Sequence, residues 1–126
     1  MAQSVMPFAL AHTVHIFKMN ETGGVQQVLA KDPAATDQIA LIRQHLRHEA
    51  ENFRRGNYAD PATLHGANMP GLKELQAGAS RIKVSFAPLP TGAEITFATT
   101  DLHLLTAIHR WFGAQLSEHC ADARAE

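Results

Sequence analysis

Two segments with the alternation of a β-strand constrain the fold of this chain more than any other feature. In residues 81–87 (RIKVSFA) every second residue, from Ile82 onward, is a large apolar one, and residues 93–99 (AEITFAT) repeat the pattern with Ile95 and Phe97. Alternate side chains of a strand point to opposite faces, and the intervening PLPTG is typical of a turn. The segments therefore predict an antiparallel hairpin that buries one face.

A second hairpin is predicted near the N-terminus. Residues 12–18 (HTVHIFK) and 25–30 (VQQVLA) are rich in β-branched and aromatic residues, which favour strands. The cluster between them contains Asn20, Gly23 and Gly24, residue types that accept the positive φ of a hairpin turn.

A long helix follows this hairpin. Asp32 suits its N-cap and Pro33 its first position, and the helix is expected to run to about Arg55 and to end at Gly56. Apolar residues recur at helical spacing, which predicts a buried stripe; they are Ile39, Ile42, Leu46, Ala50 and Phe53.

The rest of the chain adds a loop, two helices and a tail. Residues 57–68 predict a loop, and residues 70–79 a short helix whose Leu72 and Leu75 face the core. The last helix is expected to be capped at position 100 or 101 and to run to about His119. The polar tail, residues 120–126, is expected to fray.

This order predicts an α+β fold built of two hairpin–helix units. They would form a four-stranded, mainly antiparallel sheet with both long helices on one face and the short helix in the connecting loop. Residues 12–55 and 81–119 are compatible with an internal repeat, and residues 1–126 with a single domain. Such a sheet leaves its other face open, so a homodimer through that face or an edge is an expected partner arrangement.

Composition excludes several function classes. The formal net charge is −1 and the pI about 6.7, which argues against nucleic-acid binding and against a polybasic membrane-surface module. The sequence shows no signal peptide and no apolar span of bilayer length. One cysteine, Cys120, allows no internal disulfide. We therefore expect a cytoplasmic protein, or a periplasmic one if a leader has been removed.

Histidine is the one over-represented residue type, with eight among 126 residues. An excess of histidine indicates metal, haem or proton chemistry, although exposed histidines are also common. The segment LHGANMPG places His65 and Met69 four residues apart, beside the turn residues Asn68 and Pro70. Imidazole with thioether suits copper or an axial position on haem iron. Met69 could equally fill an apolar gap and His65 bond a loop carbonyl.

A second candidate pair lies on the first long helix. His45 and Glu49 are one helical turn apart and border its apolar stripe, so they could share a metal. An ordinary surface pair is the alternative, and the neighbouring Arg43 and Arg47 disfavour a bound cation. The second histidine of an H-E-x-x-H motif is absent, so no zincin is implied.

The last helix offers a third candidate. Trp111, Gln115 and His119 share its apolar face one turn apart, as the wall of a pocket for a small organic cofactor or ligand would require. The alternative is that the helix end emerges from the core, so that both polar side chains meet water. No phosphate-binding loop, nucleophile elbow or carboxylate dyad is visible, so catalysis is less expected than binding.

Three stretches carry a resemblance to a family: HIFKMNETGGVQQVLAKD, QIALIRQHLRHEAENFRRGNYADPATLHGANMPGL and LLTAIHRWFGAQLSEH. Together they resemble short bacterial proteins that often bear the name aspartate carbamoyltransferase, over residues 15 to about 123. The resemblance implies a bacterial, small single-domain protein, with some members exported, and carries no catalytic residue over. A carbamoyltransferase needs two α/β domains and a phosphate-binding S-x-R-T segment, which this chain lacks.

The sequence thus favours a small binding protein that holds a transition metal, copper or zinc, or haem. The expected ligands are His45, Glu49, His65 and Met69. The alternative is a dimeric module that binds a small organic ligand or a protein through Trp111, Gln115 and His119.

Overall fold

A computed structural model of the chain describes residues 13–58, 70–118 and 123–125. These residues form five strands, three α-helices and one 3₁₀ helix. In chain order the elements are β1 (Thr13–Asn20), β2 (Gly23–Ala30), α1 (Thr36–Arg54), α2 (Leu72–Ala77), the 3₁₀ helix (Ala79–Arg81), β3 (Lys83–Leu89), β4 (Gly92–Ala98), α3 (Leu102–Glu118) and β5 (Ala123–Ala125).

The strands form one sheet in the order β3-β4-β2-β1-β5. Each predicted hairpin is present, and antiparallel pairing of β2 with β4 joins the two hairpins at the centre of the sheet. Helix α1 packs on β2, β3 and β4, and α3 packs on β1 and β2. The structure therefore confirms the α+β fold of two hairpin–helix units, with α2 as the short helix between them.

The C-terminal tail adds a strand that the sequence did not predict. Residues Ala123–Ala125 pair in parallel with β1, with His15 opposite Ala123 and Phe17 opposite Ala125. The prediction that the tail frays is wrong for this strand, because the outer edge of β1 offers it backbone partners.

Helix α1 begins later than the sequence predicts. The side chain of Asp32 accepts a hydrogen bond from the backbone N–H of Ala34 at 2.9 Å, so it closes a turn instead of capping the helix, which starts at Thr36. The end of α1 is as predicted. Gly56 follows it with φ of 76°, a left-handed conformation that glycine adopts without steric cost.

Helix α3 is fixed at its start and along one flank. Asp101 Oδ1 accepts a hydrogen bond from the backbone N–H of His103 at 2.9 Å, which confirms the predicted cap. Further along, His109 Nε2 lies 2.9 Å from the carbonyl oxygens of both Asn20 and Gly23. Because both partners only accept, Nε2 carries the proton, and this flank of α3 is held against the β1–β2 turn.

Two arginines hold one flank of α1 against β3. Arg43 donates to the carbonyl oxygens of Leu89 at 2.6 Å and Gly92 at 3.1 Å, and Arg54 donates to that of Val84 at 2.9 Å. Helix α1 therefore runs from the end of β3 back towards its start. Since α3 begins beside that start and runs the other way, the two long helices are antiparallel.

These contacts also obstruct the outer edge of β3, where a further strand could add. The Val84 carbonyl is already bonded to Arg54, and Pro88 has no N–H to offer. The outer edge of β3 is thus only partly available for pairing, and β5 occupies part of the outer edge of β1. Homodimerisation stays a prediction.

Candidate functional site

Aromatic rings fill the space between α1, α3 and the sheet. Trp111 lies edge-on to Phe53 and Tyr58, with ring centroids 5.7 and 5.5 Å apart, and to Phe97 at 5.6 Å. Phe53 and Tyr58 stack at 4.6 Å. Edge-to-face pairs of this spacing contribute about 0.5–1.5 kcal/mol each beyond the area they bury. Trp111 is therefore the centre of the cluster.

Three polar atoms in and beside these rings have no hydrogen-bond partner among the described residues. They are Tyr58 Oη, Trp111 Nε1 and Gln115 Nε2, which we call the donor cluster. Tyr58 and Trp111 are each 1% exposed and Gln115 is 6% exposed, so bulk water does not reach them freely. A buried polar atom left unpaired costs about 1–3 kcal/mol, and proteins rarely carry several together.

Burial also fixes the protonation state of Tyr58. Removal of the phenol from water raises the pKa of Tyr58 well above its ordinary value, because a buried phenolate would lose its hydration. At any physiological pH the side chain is therefore a neutral phenol with an O–H to donate.

The next turn of each long helix continues the site with polar residues. The helices are antiparallel and Phe53 meets Trp111. Glu49, one turn before Phe53 on α1, and Gln115, one turn after Trp111 on α3, are therefore displaced in the same direction from this contact. Glu49 is 6% exposed. It lies on the flank of α1 away from Arg43, towards α3.

The helix-covered face of β1 also has two buried polar residues. Thr13 and His15 are 0% and 3% exposed and alternate with Ile16, so they share the helix-covered face of β1 with Phe17. The Thr13 hydroxyl and His15 Nε2 lie 3.4 Å apart.

The structure brings together part of the predicted sites. Trp111 and Gln115 are both buried, so the expectation that Gln115 emerges into water is wrong. Glu49 is buried and His45 half-buried, so they are not an ordinary surface pair. Three predicted residues lie outside the described part of the chain: His65, Met69 and His119. Within residues 13–58, 70–118 and 123–125, no three His, Cys, Asp or Glu side chains are placed to hold a metal.

Two members of the site were missed by sequence reasoning. Tyr58 follows the end of α1, where no periodic pattern marks a residue as buried. His15 did carry a signal, because it alternates with Ile16 and shares a strand face with the aromatic Phe17. The signal was ambiguous, since both faces of β1 contain large apolar residues.

A separate groove lies at the end of the sheet where β3 begins and β4 ends. It is open and measures about 450 Å³; its walls are formed by Thr22, Ser80, Arg81, Ile82, Lys83, Ala98, Thr99 and Thr100. Arg81 Nε lies 3.6 Å from the Asp101 carboxylate, which offsets its charge. None of the residues predicted to bind a ligand or metal lines this groove.

Comparison with protein-family models, curated proteins and solved structures found no match. In the described part of the chain, no helix has both the length and the apolar character needed to cross a bilayer.

Proposed function

We propose that this chain binds a small organic ligand between α1 and α3, against the aromatic rings and the donor cluster. The observation that carries the proposal is the presence of three nearly inaccessible polar atoms without a partner in one part of the core. Tyr58 and Trp111 are in ring contact, and Gln115 lies one helical turn from Trp111 on the same face of α3.

Stability alone does not account for these side chains. Phenylalanine at position 58 or methionine at position 115 would fill similar volumes without an unpaired polar atom. Proteins tolerate locally unfavourable groups at sites where a ligand satisfies them. A concave, mainly aromatic site with a few convergent polar groups is also the usual composition of a small-molecule site.

The proposal is tested by ligand screening on Trp111, the one tryptophan of the chain. A metabolite library is screened by thermal shift, and hits are titrated by Trp111 fluorescence, which should change because the ligand contacts the indole. Tyr58→Phe and Gln115→Met should each weaken binding about fivefold, the effect of one lost hydrogen bond.

Gln44→Met is the matched control for these variants. Gln44 lies on the exposed face of α1, so the same chemical change there should leave affinity unchanged. Hits whose binding leaves Trp111 fluorescence flat, and whose affinity is the same in all three variants, would place the ligand elsewhere.

A second candidate function is metal or haem binding through His45, Glu49, His65 and Met69. The position of Glu49 supports it, since Glu49 is 6% exposed and lies one helical turn from His45 on α1. Copper or zinc would bind to imidazole and carboxylate, and Met69 would favour copper or haem iron.

Elemental analysis and a visible spectrum of untagged protein test this candidate. We expect near-stoichiometric metal or a Soret band. His45→Ala or His65→Ala should lower the metal content or the Soret absorbance at least severalfold. His48→Ala is the control, since His48 is exposed on the same helix. A colourless, metal-free protein that ignores added copper, zinc and haem would remove the candidate.

A further inference from the structure

Resting on the proposed ligand site, we infer that its ligand is an uncharged, planar ring compound that presents acceptor oxygens to the donor cluster. Ketones, lactones and similar carbonyl-bearing ring systems belong to this class. Compounds that offer only N–H or O–H groups on that side do not.

Each of the three groups in the donor cluster can donate a hydrogen bond. The indole N–H of Trp111 can only donate, and Gln115 Nε2 belongs to the amide NH₂, which also donates. The Tyr58 phenol keeps its proton because it is buried, so it has an O–H to offer as well. Such donors are satisfied by lone pairs, as on a carbonyl oxygen, whereas an N–H of the ligand can pair with neither the indole N–H nor the amide NH₂.

The charges around the site favour a neutral ligand. Among the residues whose burial is described, no lysine or arginine is buried. Arg43 and Arg54 donate to β3 carbonyls on the far flank of α1. A carboxylate or phosphate ligand would therefore lack a buried cationic partner, and an unpaired buried charge is far more costly than a neutral carbonyl.

The aromatic rings favour a planar ligand. Phe53, Tyr58 and Trp111 meet at interplanar angles of 89° and 79° around the indole, so a ligand that reaches the donor cluster meets ring faces and ring edges. A flat ring can lie against such surfaces with offset or edge contacts.

The test compares three bicyclic probes of similar size by equilibrium dialysis. Chromone has acceptor oxygens and no donor, indole has one N–H donor, and naphthalene has neither. Wild-type protein should retain chromone about tenfold more strongly than naphthalene or indole. Tyr58→Phe should lower chromone affinity about fivefold and leave naphthalene unchanged, while Gln44→Met should alter neither.

The outcomes separate this inference from the function on which it rests. Equal retention of the three probes, or preference for indole, overturns the acceptor class while a ring-binding site remains. Failure of chromone to bind overturns the acceptor class too. The proposed function falls only if the wider library also yields no ligand that responds to Tyr58→Phe and Gln115→Met.

Discussion

Replacement of Trp111 by alanine is expected to lower the free energy of unfolding by about 3–5 kcal/mol, the usual cost of truncating a large buried aromatic side chain. Trp111 is 1% exposed and forms edge-to-face pairs with Phe53, Tyr58 and Phe97. Its removal leaves a cavity where α1, α3 and strand β4 meet. The measurement is urea unfolding followed by far-ultraviolet circular dichroism, because the variant has no tryptophan.

The variant Trp111→Phe distinguishes the loss of ring packing from a local disturbance of helix α3. Phenylalanine keeps most of the ring contacts, so its cost should be clearly smaller than that of alanine. If the alanine variant unfolds at nearly the same urea concentration as the wild type, with an unchanged dependence of the unfolding free energy on urea, then Trp111 is not part of the core.

Much of the fold could be predicted because local sequence patterns indicate its strands and helices. The alternation of residues 81–87 and the helical spacing of Ile42, Leu46 and Phe53 identify strands and helix without knowledge of distant contacts. Strand β5 had no such pattern, since its three residues gain their structure from pairing with β1. The start of α1 was misjudged because Asp32 can close a turn as readily as cap a helix.

The site was less predictable, because it depends on which helix flanks face each other. Trp111 and Gln115 could be paired from spacing on α3 alone. The burial of Glu49 required knowledge that Arg43 and Arg54 hold the other flank of α1 against β3. Tyr58 is buried by tertiary packing against Phe53 and Trp111. No local sequence pattern predicts this burial.

The second large effect is an increase in the free energy of unfolding. In ligand-free protein, Tyr58→Phe and Gln115→Met are each expected to raise the free energy of unfolding by about 1 kcal/mol. Each change removes a buried polar atom that has no partner among the described residues and keeps the shape of the side chain. Stabilisation by loss of a polar group is the mark of a side chain kept for binding and not for folding.

The ligand-free stability of these two variants is also the most direct test of the central claim, because it requires no knowledge of the ligand. Urea unfolding of wild type, Tyr58→Phe, Gln115→Met and the exposed control Gln44→Met should show both buried variants more stable, and the control within about 0.5 kcal/mol of wild type. Destabilisation of both by a kcal/mol or more would show that Tyr58 Oη and Gln115 Nε2 already make structural hydrogen bonds, and it would contradict the assignment of a ligand site there.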